Sequence, residues 1–316
     1  MKLVWHDEFD GVADTDGQLY IDRTKWQTHF WQGDSQRTLA GNGEAELYLD
    51  KDYGGTRNLT VDRRPNPFSF EQPGILTISA FRTPAESADS YGANEQRPFT
   101  SGLLISDQRF TTQYGYIEGR FKIPMERGAW PAFWLLADDM AVGDPSAALR
   151  GADGNPTPDE NKAHPWPPEV DILESLGIWK SKFDTGYIAP KGEKVKVSQW
   201  MHDTGANLGA DFHTWGYEWD ENNMVWTMDG KIIAHGNVTQ SFRRSFYILI
   251  NLGVGGSWYA QITKGKPWEV DETTMPWKML CDYVRVYQAA PGTPPSAPLQ
   301  QAPKGPAKGS LDPQAQ

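Results

Sequence analysis

The segment Glu169-Val170-Asp171-Ile172-Leu173-Glu174 sets three carboxylates in an otherwise apolar run, at positions that no regular strand brings to one face. Successive side chains of a β-strand point to opposite sides, so Glu169 and Asp171 share a face and Glu174 falls on the other. One extra residue between Asp171 and Glu174, a β-bulge, restores the parity and aligns all three acids. The run therefore predicts a bulged, half-buried strand carrying a carboxylate row. Desolvated side by side, such acids cannot all ionise at their ordinary pKa, and one of them is expected to hold a proton.

Much of the remaining chain carries strand signals. Short apolar or alternating runs recur at 46–49, 75–78, 115–123, 133–136, 214–219, 224–228, 231–234, 246–252 and 283–287. Asp229-Gly230, between two of them, is a two-residue hairpin signal. No sustained helical periodicity appears, which disfavours alternating βα architectures. Residues 1–288 are expected to form one all-β domain, a sandwich or barrel of antiparallel strands. Residues 83–99 and 138–167 are polar and rich in Gly and Pro, and read as long loops. The second enters the carboxylate strand directly and is expected to form one wall of any site there. Residues 289–316 are Pro, Ala, Gly, Gln and Lys with hardly a large apolar side chain, the composition of a linker or disordered tail.

At 316 residues the chain has ample length for a core. Its net charge of -11 argues against a nucleic-acid partner or an anionic membrane surface, and reads most simply as a solvated acidic exterior. The single cysteine, Cys281, excludes an intrachain disulfide and a cysteine metal site, and reads as a buried core thiol. No apolar stretch reaches the length of a membrane span. Met1 to Trp5 runs straight into His6-Asp7-Glu8 without a secretory h-region, which leaves the export route open. Fourteen Trp, thirteen Phe and twelve Tyr serve a β-rich core, with a share left for aromatic planes that stack on the C–H faces of sugars.

A protonated and an ionised carboxyl on one rigid surface suit retaining glycoside hydrolysis, which needs two carboxyl groups roughly 5–5.5 Å apart. Glu169 is then the nucleophile and Glu174 the general acid, later the base. Asp171, between them, shares a proton or hydrogen bond with Glu169. Two plainer readings stand beside this one: acids that face water, and three oxygen ligands for a hard cation such as calcium. The flanking Pro167-Pro168, the odd spacing and the aromatics on both sides favour a built site.

These residues resemble a known family. Glu169-Val-Asp-Ile-Leu-Glu174 resembles the E-x-D-x-x-E signature of glycoside hydrolase family 16, in its bulged, laminarinase-like form. Leu3 to Asp10 resembles the family's opening strand, Gly41-Asn42-Gly43-Glu44 its N-x-E segment, and Gly128 to Leu136 its W-P-A-x-W strand. Phe212 to Trp219, the Asp229-Gly230 hairpin, Leu252 to Gly256 and Asp282 to Tyr287 follow in the family's order. The resemblance implies a concanavalin A-like jelly-roll β-sandwich with a cleft across the concave sheet, and endo-acting, retaining cleavage of β-linked glucans or galactans. It makes Glu169 the nucleophile, Asp171 the assisting carboxylate and Glu174 the acid/base. Trp130 and Trp134 become the aromatic walls of the glycone subsites, and Asn42 a hydrogen-bonding partner of the sugar. His202 falls where the family often carries a histidine beside the catalytic strand. Many members bind a structural calcium ion; the matching positions are Glu8, Gly41 through its carbonyl, and Asp282. No cofactor for catalysis is implied.

The departures narrow the substrate. Laminarinase-like members usually carry Thr-Ser-Gly-Arg where this chain has Thr100-Ser101-Gly102-Leu103. With Leu103 in that place, the chain is more similar to bacterial exopolysaccharide-processing, succinoglycan-type endo-β-glycanases, which act on decorated β-1,3 and β-1,4 polymers. The expected protein is a secreted monomer whose partner is a polysaccharide. A transglycosylase, an agarase- or carrageenase-like β-galactan hydrolase, and a non-catalytic glycan-binding module on the same fold are the alternatives.

Overall fold

Apolar residues at every second position make this chain a stack of strands, in a computed structural model that describes residues 1–15, 17–30, 33–138 and 168–289. The first half of the chain holds β1 (Lys2–Asp7), β2 (Val12–Ala13), β3 (Leu19–Tyr20), β4 (Glu46–Tyr48), β5 (Phe68–Gln72), β6 (Ile75–Arg82), β7 (Phe99–Ser101), β8 (Leu103–Ile105), β9 (Gly115–Lys122) and β10 (Ala129–Ala137). The second half holds β11 (Glu169–Glu174), β12 (Lys182–Ile188), β13 (Met201–Asp203), β14 (His213–Trp219), β15 (Asn223–Met228), β16 (Lys231–Asn237), β17 (Phe246–Val254) and β18 (Trp277–Gln288). All the expected strands are present. The Asp229-Gly230 turn joins β15 to β16 with both residues at positive φ, 48° and 76°.

Two sheets form the jelly-roll sandwich. One follows the order β16-β15-β14-β9-β18-β6-β7-β4, with β1 paired to β18 and β5 to β6. The other, with the order β13-β12-β11-β10-β17-β8, carries the carboxylate strand near its middle. Along β10 the alternation separates two surfaces. Ala129, Phe133, Leu135 and Ala137 join the core between the sheets, while Trp130, Ala132, Trp134 and Leu136 belong to clusters on the outer side. The core is dense in aromatics, with Trp26, Trp215, Trp219, Trp226 and Trp277 fully buried. Cys281 is buried there as expected.

The 83–99 segment is not simply a loop. It holds α1 (Ala85–Tyr91), which starts after Pro84 and stops at Gly92, in the left-handed conformation at φ 69°, whose N–H closes on the Ala88 carbonyl. Seven residues are too few for helical periodicity to show in the sequence. A second short helix, α2 (Gly256–Thr263), follows β17. Asp138 ends the described part of the expected 138–167 wall. The rest of that segment, Pro167 included, and the tail beyond Ala289 lie outside the described residues.

The bulge is where the sequence required it. On β10, Phe133 pairs with Leu173 and Trp134 with Asp171, so Ile172 is skipped. On β12, Asp184 pairs with Glu174 and Gly186 with Asp171, so three residues of one strand face two of the other. Ile172 and Leu173 are both fully buried in the core. A bulge disturbs the ladder, and the Asp171 carbonyl takes its hydrogen bond from across the sandwich, from Nε1 of Trp226 at 2.9 Å. Trp226→Phe keeps most of the ring and leaves that buried carbonyl without its donor. The expected cost is about 1–3 kcal/mol of stability, read from chemical denaturation. An unchanged midpoint would show that the carbonyl finds another partner.

Candidate active site

The bulge brings Glu169, Asp171 and Glu174 to the outer face of their sheet, where all three line one cleft of about 890 Å³. Asn42, Glu44, Trp130, Trp134, Asn251 and Trp258 also line it. Burial pushes the Asp171 carboxyl well above its ordinary range; the charge of Glu169 and a hydrogen bond to it push the same way. Asp171 thus holds the proton in that bond, which leaves Glu169 as the acceptor. Glu174 is also raised well above the ordinary range, by burial first and then by the charge of Asp171. The Trp130 indole N–H, 2.8 Å from Glu174 Oε1, partly opposes this by stabilising the carboxylate. The row therefore combines two carboxyls that retain protons with one that accepts. Such a set can deliver a proton and an electron pair from the same surface.

A chain of hydrogen bonds holds the floor of the cleft. Trp134 Nε1 donates to Asn251 Oδ1 at 2.7 Å, and Asn251 Nδ2 donates to the Tyr48 hydroxyl at 2.9 Å. Tyr48 in turn donates to Glu44 Oε2 at 3.1 Å, and Asn42 Nδ2 donates to Glu44 Oε1 at 3.2 Å. Glu46 lies beside Glu44, wholly buried, its carboxyl raised well above the usual range by burial and by the charge of Glu44. Its Oε2 accepts from the Val254 N–H at 2.8 Å. The early loop, β4 and β17 are thereby tied together behind Trp134. At the other wall, Trp258 of α2 meets Trp130 edge-on at 5.5 Å between centroids. Gly256 permits this approach, since a Cβ there would stand 2.4 Å from Cζ3 of Trp130.

Trp130, Trp134 and Asn42 are where the sequence placed them, on the cleft. His202 is not. It sits on β13 opposite Phe183, stacks on that ring at 5.0 Å, and shares a 2.8 Å hydrogen bond with the Thr185 hydroxyl. Phe183 belongs to the core between the sheets, so His202 faces the interior and away from the carboxylates. Burial lowers its pKa. Two of the three calcium positions have their carboxylates paired with arginines. Gly41 lines the cleft, whereas both oxygens of Glu8 are taken by Arg285, at 2.9 and 2.8 Å. Asp282 pairs with Arg120. Among the described residues no cluster of three or more His, Cys, Asp or Glu could hold a metal. Leu103 is fully buried in a cluster with Phe30, Tyr48 and Trp134, so it supports the wall rather than lining it.

Sequence reading gave no role to Glu44, which it placed only in the N-x-E segment, nor to Tyr48, Asn251 and Trp258. Glu44-Ala45-Glu46 offered a signal of the same kind as β11, paired acids inside an apolar run. The roles of Asn251 and Trp258 had none, since they depend on contacts between distant segments. Asp184 was missed too. It is the register partner of Glu174, and its burial raises its pKa to about 6.

A family model described as "Glycosyl hydrolases family 16" matches residues 157–279. The chain is 32% identical over 258 residues to the endo-1,3-1,4-beta-glycanase ExsH of Rhizobium meliloti (strain 1021), covering 81% of this chain and 47% of that protein. It is 29% identical over 289 residues to the endo-1,3-1,4-beta-glycanase EglC of the same organism, covering 91% of this chain and 52% of that protein. The chain thus spans about half the length of these curated relatives. Its fold is similar to that of the laminarinase catalytic domain from Thermotoga maritima MSB8, with a TM-score of 0.63 and 26% identity over 92% of this chain and 98% of that one.

The raised pKa of Asp184 carries a pH signature. An acid whose folded pKa lies above its unfolded value adds stability below the unfolded pKa and loses it as pH rises through the folded one. For Asp184 that window runs from the ordinary aspartate value of 3.8 to about 6. Asp184→Asn is therefore expected to raise the melting temperature at pH 8 and to leave it unchanged near pH 3. Equal shifts at both pH values would contradict the assignment.

Proposed function

The chain belongs to glycosyl hydrolase family 16, and we propose that it is a retaining endo-β-glycanase acting on internal β-1,3 or β-1,4 linkages of a glucan or bacterial exopolysaccharide. The observation that carries this reading is the bulge-aligned row of Glu169, Asp171 and Glu174 on an open cleft between tryptophans. In the first step Glu169 attacks the anomeric carbon while the bond to the leaving oxygen breaks. Glu174 gives that oxygen its proton. In the second step Glu174, now ionised, takes a proton from water, which displaces Glu169 from the sugar. Asp171 holds its own proton toward Glu169, which orients the nucleophile and limits the negative charge on the face. Glycan binding without catalysis is the weaker reading, because the complete carboxylate row is present and costly to desolvate. The endo-1,3-1,4-beta-glycanase relatives support a mixed β-glucan or a related exopolysaccharide over a galactan. On such a polymer the protein would work outside the cell.

Reducing-end release from barley β-glucan, laminarin, agarose and a succinoglycan-like polymer tests the proposal. Glu169→Gln should fall to background on every substrate the wild type cleaves. Glu174→Gln should lose about 10²–10⁴-fold, and less on an aryl glycoside whose leaving group needs no proton. Wild type and Glu169→Gln releasing equally little throughout would sink the enzymatic reading. NMR of early products should show the β-anomer first; an α-anomer would exclude retention.

A second test uses Trp130. Activity requires Glu174 protonated, so it falls as pH rises through the raised pKa of that group. Trp130→Phe removes the N–H that stabilises the carboxylate, so the alkaline limb of kcat/KM should move to higher pH. A limb that stays put or moves down would mean that another group is the acid.

A further inference from the structure

The carboxylate row has an aromatic ring on each side, and one of these rings lies outside the pocket already described. Asp171 is partnered on β10 by Trp134 and on β12 by Gly186. The Trp200 indole lies over Gly186. A Cβ built on this glycine would stand 2.5 Å from Cζ3 of Trp200 and 3.7 Å from Oδ2 of Asp171. The missing side chain is what lets the ring descend onto the sheet beside the reacting carboxyls. Tyr187 braces it, with ring centroids 4.8 Å apart, and is itself anchored by its hydroxyl to the Val195 carbonyl at 2.8 Å. Trp200 nevertheless remains 44% exposed, so the protein positions this ring without covering it.

Next to it stands Asp184, the register partner of both Glu174 and Met201. Its Oδ1 is buried and has no hydrogen-bond partner among the described residues. A buried acceptor left unpaired costs free energy until something donates to it. Lys182, two residues back on the same face of β12, is 3.7 Å from Asp203. From β10 to β12 is two strand spacings, roughly 10 Å, about the reach of a disaccharide laid across the sheet.

We propose that Trp200 and Asp184 form the subsite on the leaving-group side of the scissile bond, and that it takes a neutral β-linked pyranose. This rests on the endo-glycanase reading above. The cleft floor of Asn42, Trp130, Trp134 and Asn251 lies on the other side of β11 and holds the glycone. The sugar beyond the cleaved bond then stacks a C–H face on Trp200 and donates a hydroxyl hydrogen to the partly exposed Asp184 carboxyl. Asp171 and Glu174 keep their protons, but Asp184 ionises as pH rises through about 6, and its charge repels an acidic substituent at this unit. Charged decorations of the polymer therefore fall outside it.

The test compares kcat/KM on an unbranched mixed-linkage β-glucan with kcat/KM on a chloronitrophenyl β-oligoglucoside, whose leaving group is not a sugar. In Trp200→Ala the polymer-to-aryl ratio should fall at least about tenfold, equivalent to 1.4 kcal/mol of lost transition-state binding. Trp200→Phe should restore most of it, and Asp184→Ala should lower the ratio in the same direction. A ratio within about twofold of wild type in Trp200→Ala, with both substrates losing equally or neither losing, overturns the subsite. An unchanged ratio in Asp184→Ala removes Asp184 from it. Wild type that turns over neither substrate overturns the endo-glycanase reading, and the subsite with it.

Discussion

Desolvation of carboxylates organises this protein. Three acids on one dry face repel one another, and each prefers water to the interior. The fold accommodates them by keeping protons on Asp171 and Glu174, and by supplying the Trp130 N–H to the latter. The same constraint sets the backbone. Aligning Glu174 with its neighbours requires the bulge, the bulge disturbs the ladder at Asp171, and Trp226 of the opposite sheet donates to that carbonyl through the core. The chemistry of the outer face thus depends on a tryptophan contributed by the other layer.

A second set of buried acids performs a mechanical task. Glu44 and Glu46 meet behind the cleft, where Tyr48, Asn42 and the Val254 N–H all donate to them. Through Tyr48 and Asn251 they fix the orientation of the Trp134 indole. An aromatic platform contributes to binding only if its plane is held, and here one hydrogen-bond chain holds it from three separate stretches of sequence. Arg37 closes the arrangement from below, buried and bonded to Asp50 at 2.8 Å and to the Tyr48 carbonyl at 3.0 Å. Arg37, the one basic side chain among the described residues of the cleft wall, is therefore committed to structure.

The expected positions whose side chains lie elsewhere have a common cause. His202 and the calcium positions were placed by resemblance in motif order, and motif order does not say which way a side chain points. In a strand that direction reverses with every residue. On β13 the parity turns His202 toward Phe183 and the core. Glu8 stands in the sequence as a free acid, but in space both its carboxylate oxygens accept from the Arg285 guanidinium. Trp200 was one of fourteen tryptophans and carried no mark of its own. Its exposure and the glycine beneath it, on a different strand, distinguish it from the core tryptophans.

Local sequence determined the alternation, the turns, the strand positions and the parity defect at Glu169–Glu174, because these follow from the backbone period and from residues adjacent in the chain. It likewise determined that Cys281 is a core residue, whereas the place of Trp130 and Trp134 beside the carboxylates came from the family resemblance. Only the tertiary structure decided which acids keep their protons, since that depends on burial and on charges brought in from β4, β10 and β12. It alone decided that Asn251, Trp258, Asp184 and Trp200 complete the surroundings of the row. Such contacts join residues far apart in the chain, and no period or spacing along a single chain encodes them.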